Sequence, residues 1–147
     1  MAPTPDVPAD WLRIKPFPSL QPKRSFVSDD PEGDRLRVTY FRRGDEPVLR
    51  GKAWFGPGTE GPPGYAHGGA VAAVLDEAVG AVAWMAGHRV VVAQLTVDFR
   101  AMVVLGVDAT LESSVVTVDG RKIRCRARLT DGDTLLAEAE GLCIVRL

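Results

Sequence analysis

The stretch from Ala70 to Ala86 constrains this chain more than any other part of it. It is rich in alanine, valine and leucine, contains no proline, and carries only two charges, the adjacent Asp76 and Glu77. Gly87 follows, as suits a helix C-terminus. A helix that is apolar nearly all round has to hide most of its surface. The chain has 147 residues, a length that suits one domain with a substantial core, so the cover must come from the segments on either side.

Those segments read as strands. Arg35–Arg43 (RLRVTYFRR) and Val48–Phe55 (VLRGKAWF) are two strands joined by a turn at Gly44-Asp45-Glu46-Pro47. Beyond the helix the period becomes two. Val91, Ala93, Leu95, Val97 and Phe99 fall on one strand face, and Val107, Ala109, Leu111, Ser113 and Val115 on the next. Ile123, Cys125, Ala127 and Leu129 then alternate with Lys122, Arg124, Arg126 and Arg128. Asp119-Gly120 and Asp131-Gly132 are hairpin signals and predict a three-strand antiparallel meander. The expectation is an α+β fold in which two strands, one central helix and four long strands place a single apolar sheet face around the helix.

Proline sets the other boundary. All eleven prolines fall at or before Pro63, and six lie within the first 22 residues. Residues 1–26 are therefore expected to form an extended, proline-rich arm with a short turn near Trp11-Leu12. Trp11, Leu12, Ile14, Phe17 and Leu20 favour an arm laid on the body; a disordered tail is the alternative. Residues 27–147 would then be a single domain.

Charge and cysteine usage exclude several classes. Eighteen basic residues against nineteen acidic ones leave none of the basic excess of a nucleic-acid binder. The longest uncharged run, Gly61–Leu75, has fifteen residues, short of the roughly 20 that span a bilayer. The N-terminal MAPTPDVPADW lacks the basic and apolar regions of a secretory signal. Cys125 and Cys143 form no CxxC and read as buried thiols of a reducing compartment. The expectation is a soluble cytoplasmic domain with no metal and no cofactor.

Candidate chemistry gathers around the helix. The loop Gly56–Gly69 holds six glycines in fourteen residues and ends in His67-Gly68-Gly69 at the helix start. Unpaired N–H groups and the positive dipole end make such a terminus a place to polarise a carbonyl. A tight loop packed on the sheet, with His67 as a cap, accounts for the same residues. Asp76 costs free energy in an apolar helix unless it is paired, hydrated or employed; a thin solvated stripe shared with Glu77 is the bland reading. Asp76 lies eight residues beyond Gly68, roughly 12 Å along one helix, too far for both to serve one carbonyl. If they form one site, an antiparallel twofold dimer has to supply its two halves.

Gly61–Gly80, GPPGYAHGGAVAAVLDEAVG, resembles the signature of the hot-dog-fold acyl-CoA thioesterases, in particular the phenylacetate-pathway and thioesterase-superfamily-member types. The resemblance runs on through Met85-Ala86-Gly87 and the L-x-V-x-F strand Leu95–Phe99. It implies a six-stranded antiparallel sheet wrapped around the central helix, paired into a homodimer and often a homotetramer. It implies hydrolysis of an acyl-CoA substrate with Asp76 as catalytic carboxylate, Gly68 as backbone donor to the thioester carbonyl, and His67 orienting the loop. Gly69, Gln94, Thr96, Arg124 and Arg126 are the substrate-binding candidates; the Lys122–Arg128 cations either attract CoA phosphates or simply face solvent. Where relatives carry serine or threonine before L-x-V-x-F this chain has Val92, and where some carry asparagine or glutamine before the histidine it has Gly61. Gln94 and Thr96 are expected to share the strand face of Val92 and to offer a substitute polar group. A non-catalytic acyl-CoA-binding module on the same fold is the alternative function. A hot-dog hydratase would need an Asp and a His about five residues apart, and the sequence has no such pair.

Overall fold

A computed structural model describes residues 6–17 and 25–147. Its strands and helix run β1 (Trp11–Ile14), β2 (Leu36–Arg43), β3 (Val48–Phe55), α1 (Gly68–Met85), β4 (Val90–Phe99), β5 (Asp108–Asp119), β6 (Lys122–Asp131) and β7 (Thr134–Val145). The strands form one antiparallel sheet in the order β1-β2-β3-β5-β6-β7-β4. The sheet curls around α1, which packs on β3, β4, β5, β6 and β7. This is the hot-dog architecture expected.

The helix is buried for the reason its composition gives. Val74, Leu75, Val79 and Val82 are completely enclosed and Val71 nearly so. They meet the inward residues Leu111, Ile123, Cys125, Leu129 and Cys143 in one core. By length and composition α1 would also pass for a membrane span; here the sheet supplies its apolar surroundings. Gly87, at φ +96°, ends it.

Four details differ from the sequence reading. The sheet has seven strands among the described residues, because part of the arm joins it: β1 pairs with β2, Trp11 opposite Arg43 and Ile14 opposite Tyr40. The Trp11 ring lies 5.9 Å from that of Phe41, and the Arg50 guanidinium sits 5.5 Å from its centre. The turn expected at Trp11-Leu12 falls at Ala9-Asp10, and Leu20 lies outside the described residues. The helix starts at Gly68 rather than Ala70, since His67 caps it.

The fourth difference matters most for the site. A bulge between Val92 and Gln94 breaks the alternation of β4. Val90 and Val92 face the helix before it, Leu95 and Val97 after it. Val91 and Ala93 are therefore exposed instead of sharing the face of Leu95. The same extra residue puts Gln94 and Thr96 on the outer face, away from Val92.

Gly141 on β7 shows how closely the sheet approaches α1: a Cβ there would lie 2.8 Å from Val79 Cγ2. Gly141→Ala is expected to cost about 1–3 kcal/mol through overpacking, measured as a lower denaturant midpoint with an unchanged slope.

Candidate active site

The loop before α1 is fixed from both sides. His67 N–H donates to the Thr59 carbonyl at 2.7 Å and Ala66 N–H to the Val103 carbonyl at 2.8 Å. Gly64, at φ +84°, supplies a turn that most residues resist, and its N–H donates to the Glu60 carboxylate at 2.8 Å. Gly61 packs so tightly on His67 that a Cβ would come within 2.8 Å of the His67 Cα. An asparagine or glutamine at position 61 would not fit this loop without a shift of its backbone.

This bracing presents the helix N-terminus to solvent. His67 Nδ1 accepts a hydrogen bond from the Gly69 N–H at 2.8 Å, so His67 is a true N-cap and the Gly69 donor, expected to hold substrate, is already engaged. The Gly68 N–H has no acceptor among the described residues. Gly68 is exposed and lies beside the Phe99 ring, which a Cβ would meet at 3.5 Å. An open cleft of about 520 Å³ adjoins this end, lined by His67, Gly69 and Ala70 together with Arg35, Asp29, Asp30 and Glu60.

The two carboxylates of α1 have different surroundings. Glu77 accepts hydrogen bonds from Tyr40 Oη at 2.8 Å and Ser25 Oγ at 2.7 Å. Burial first, and the Glu77 charge second, push the Tyr40 phenol well above its usual value, so it stays a donor. Asp76 is exposed, accepts no hydrogen bond and joins no ion pair among the described residues, and partial desolvation raises its carboxyl above the ordinary value. It opens into a second cleft, of about 280 Å³, with Val92 on the facing strand.

The structure separates the remaining candidates from these. Register places Gln94 beside Leu142, whose other neighbour is Arg124, and Thr96 beside Glu140, whose other neighbour is Arg126. All four candidates thus lie on the outer sheet face, opposite the buried Ile123, Cys125 and Ala127. The neighbours Glu138 and Glu140 on β7 give the β6 cations carboxylates to face. Of the candidates for pocket or core, Val74, Val79 and Val82 are core, while Ala70 and Trp84 line clefts. Sequence reasoning missed the Tyr40–Glu77–Ser25 cluster; nothing in the spacing of three residues on separate segments announces it.

The sequence profile of the thioesterase superfamily matches residues 63–138, a span that includes Gly68, Asp76 and the L-x-V-x-F strand. This chain belongs to that superfamily. It is 40% identical over 91 residues to acyl-coenzyme A thioesterase THEM4 of Xenopus laevis, covering 60% of this chain and 41% of that protein. It is 37% identical over 127 residues to the THEM4 of Bos taurus, covering 85% and 52%. The chain therefore spans about half or less of the length of these curated relatives. Its fold matches that of a hypothetical thioesterase solved with coenzyme A from Streptococcus pneumoniae, at a TM-score of 0.69, 16% identity and coverage of 75% and 86%.

Two outcomes follow for the carboxylates. If Asp76 is the base, Asp76→Asn lowers turnover at least ~10²-fold, and the acid limb of the pH–rate profile lies above the ordinary aspartate range. Folding raises the Asp76 pKa, so the stability it contributes is full below the unfolded value and is lost as pH rises through the folded one. Asp76→Asn should therefore melt above wild type at neutral pH, with the gap closing below about pH 3.5. Glu77→Gln replaces one acceptor with a donor and should cost about 1–3 kcal/mol of stability, with turnover staying far above that of Asp76→Asn.

Proposed function

We propose that this chain hydrolyses acyl-CoA thioesters to the free acid and CoA. The observation that carries the reading is Asp76: an unpaired carboxylate with a raised pKa, opening into an apolar cleft on the helix whose N-terminal Gly68 N–H is also unpaired. The names of the THEM4 relatives and the coenzyme A in the Streptococcus pneumoniae structure support the substrate class.

In this mechanism the Gly68 N–H polarises the thioester carbonyl and holds the developing oxyanion, aided by the helix dipole. Asp76 accepts a proton from water as the water oxygen bonds to the carbonyl carbon. The C–S bond then breaks, and the departing thiolate takes the proton back. No step calls for a metal or a cofactor.

The two groups belong to different chains in this reading. The α1 helix is continuous from Gly68 to Met85, so Gly68 and Asp76 of one chain stand about 12 Å apart along the axis. A twofold dimer with antiparallel helices brings Asp76 of each chain to Gly68 of the other. β4 ends the sheet order with Val91 half exposed, and pairing with its twin would cover an edge that otherwise invites aggregation. The unpaired buried thiols Cys125 and Cys143 support a reducing, cytoplasmic location.

Val92 favours one rival, a binding module without turnover. It faces the Asp76 cleft, and the bulge leaves Gln94 and Thr96 unable to replace a hydroxyl there. Thiol release from acetyl-, octanoyl-, palmitoyl- and phenylacetyl-CoA decides between them: turnover abolished by Asp76→Asn supports the hydrolase, and no release from any thioester supports the module. The shared site has its own test. Gly68→Val chains mixed with Asp76→Asn chains should recover about a quarter of wild-type activity after subunit exchange, since half the dimers are mixed and each has one intact site. A mixture that stays inactive while heterodimers form would exclude the interchain site.

A further inference from the structure

A water that attacks a carbonyl carbon needs both of its hydrogens held. If one goes to Asp76 and the other is free, the water turns and its lone pair leaves the line of attack. The strand facing Asp76 offers only the side chains of Val90 and Val92 to this cleft, so the second holder has to come from elsewhere. The lining of the cleft leaves one choice. Apart from Asp76 and Glu77 every side chain on it is apolar except the Trp84 indole, whose N–H is spent on the Val90 carbonyl at 3.2 Å. The backbones of Val90 and Val92 are paired with Val145 and Cys143 of β7. Among the described residues, Glu77 is the one other polar side chain with capacity left.

Glu77 is also held still. Tyr40 Oη donates to its Oε1 at 2.8 Å and Ser25 Oγ to its Oε2 at 2.7 Å. One donor comes from β2 and the other from the end of the arm, so the carboxylate is clamped between separate segments. Tyr40 is only 5% exposed, and burial holds its phenol in the protonated, donating form. Ser25 is braced in turn by the Ser28 hydroxyl, which donates to its Oγ at 3.1 Å. An ionised carboxylate accepts at about four lone-pair positions. The two donors take one on each oxygen and leave the rest open.

We propose that Glu77 holds the second hydrogen of the attacking water while Asp76 takes the first, with Tyr40 and Ser25 as positioning residues. The assignment rests on the hydrolase reading. Held between two acceptors, the water turns a lone pair outward to the thioester carbon. Asp76 gains the proton as the water oxygen bonds to that carbon, and the departing thiolate later takes it back. Glu77 remains an acceptor throughout, and its charge favours the growing acidity of the water.

Steady-state thiol release from the best of the four thioesters tests this. A carboxamide oxygen has two lone pairs, where Tyr40, Ser25 and the water bring three hydrogens. Glu77→Gln should therefore lower kcat about tenfold, inside the roughly 10²-fold that a 1 Å misplacement costs, with KM unchanged. Tyr40→Phe keeps the ring in the core and removes one donor. It should lower kcat by a smaller factor, again at constant KM, and it carries the test if Glu77→Gln folds poorly.

Rescue separates holding the water from fastening the arm. Val92→Ser puts a hydroxyl on the strand facing Asp76. Added to Glu77→Gln it should raise kcat several-fold, a larger factor than it gives in wild type, while the melting temperature stays at or below that of Glu77→Gln. A merely structural Glu77 would show no such rescue. If kcat does not fall in either variant, or if Val92→Ser restores none of the loss, the assignment is overturned and the hydrolase reading stands. If wild type releases thiol from none of the four thioesters, both are overturned.

Discussion

Everything in this molecule follows from the need of α1 to leave water. Five of its side chains, Val71, Val74, Leu75, Val79 and Val82, are essentially enclosed. At about 1.5–3 kcal/mol each their burial is on the order of 10 kcal/mol, comparable to the whole net stability of an ordinary domain. The helix cannot shift against the sheet without giving up much of that. It is a rigid post, and only its N-terminal turn and one narrow stripe remain open for chemistry. Ala73, Asp76, Glu77 and Gly80 lie on that stripe or at its edge.

A rigid post fixes distances, which is useful to catalysis and also restrictive. The Gly68 donor is held by a loop whose N–H groups are satisfied by Thr59, Val103 and Glu60, so little reorganisation remains when charge develops on a substrate oxygen. The same rigidity keeps Asp76 two turns away. No side-chain rotation closes a separation of about 12 Å, and no bend in a buried helix does so cheaply. In the proposed dimer a second copy of the same post, reversed, would bring a donor and a carboxylate together. The exposed edge of β4 and the split site would then be two consequences of one arrangement.

The fold was largely legible because its signals are periodic. The apolar run of α1, the period-two strands and the Asp-Gly turns each act over a few residues, and each is where it was expected. What failed was non-local or depended on a single inserted residue. The pairing of Trp11–Ile14 with β2 rests on contacts with Phe41 and Arg50, which lie some 30 or more residues away. The bulge at Ala93 adds one residue and reverses the face of everything before it. That is why Val92 was grouped with Gln94 and Thr96 although it lies on the opposite face. In the candidate site, Asp76, Gly68 and His67 stood out in the sequence as departures from a pattern. The role of Glu77 was not, because its partners Tyr40 and Ser25 come from separate segments.

Asp76 and Glu77 show how adjacent carboxylates acquire different work. About 100° of rotation separates them on the helix, enough to turn one toward the arm and the other toward the open cleft. Glu77 meets two O–H donors, which leave each of its oxygens occupied once. Asp76 meets apolar walls and no donor among the described residues, so its charge is disfavoured and its oxygens stay available. Satisfaction makes the first carboxylate a fastener. The second is left open to take a proton, the role proposed for it, since a group poised to take one must not already be holding a donor. The fastener also borders the second carboxylate's surroundings: it ties Ser25 to the helix, next to Phe26 on the wall of the cleft that Asp76 lines.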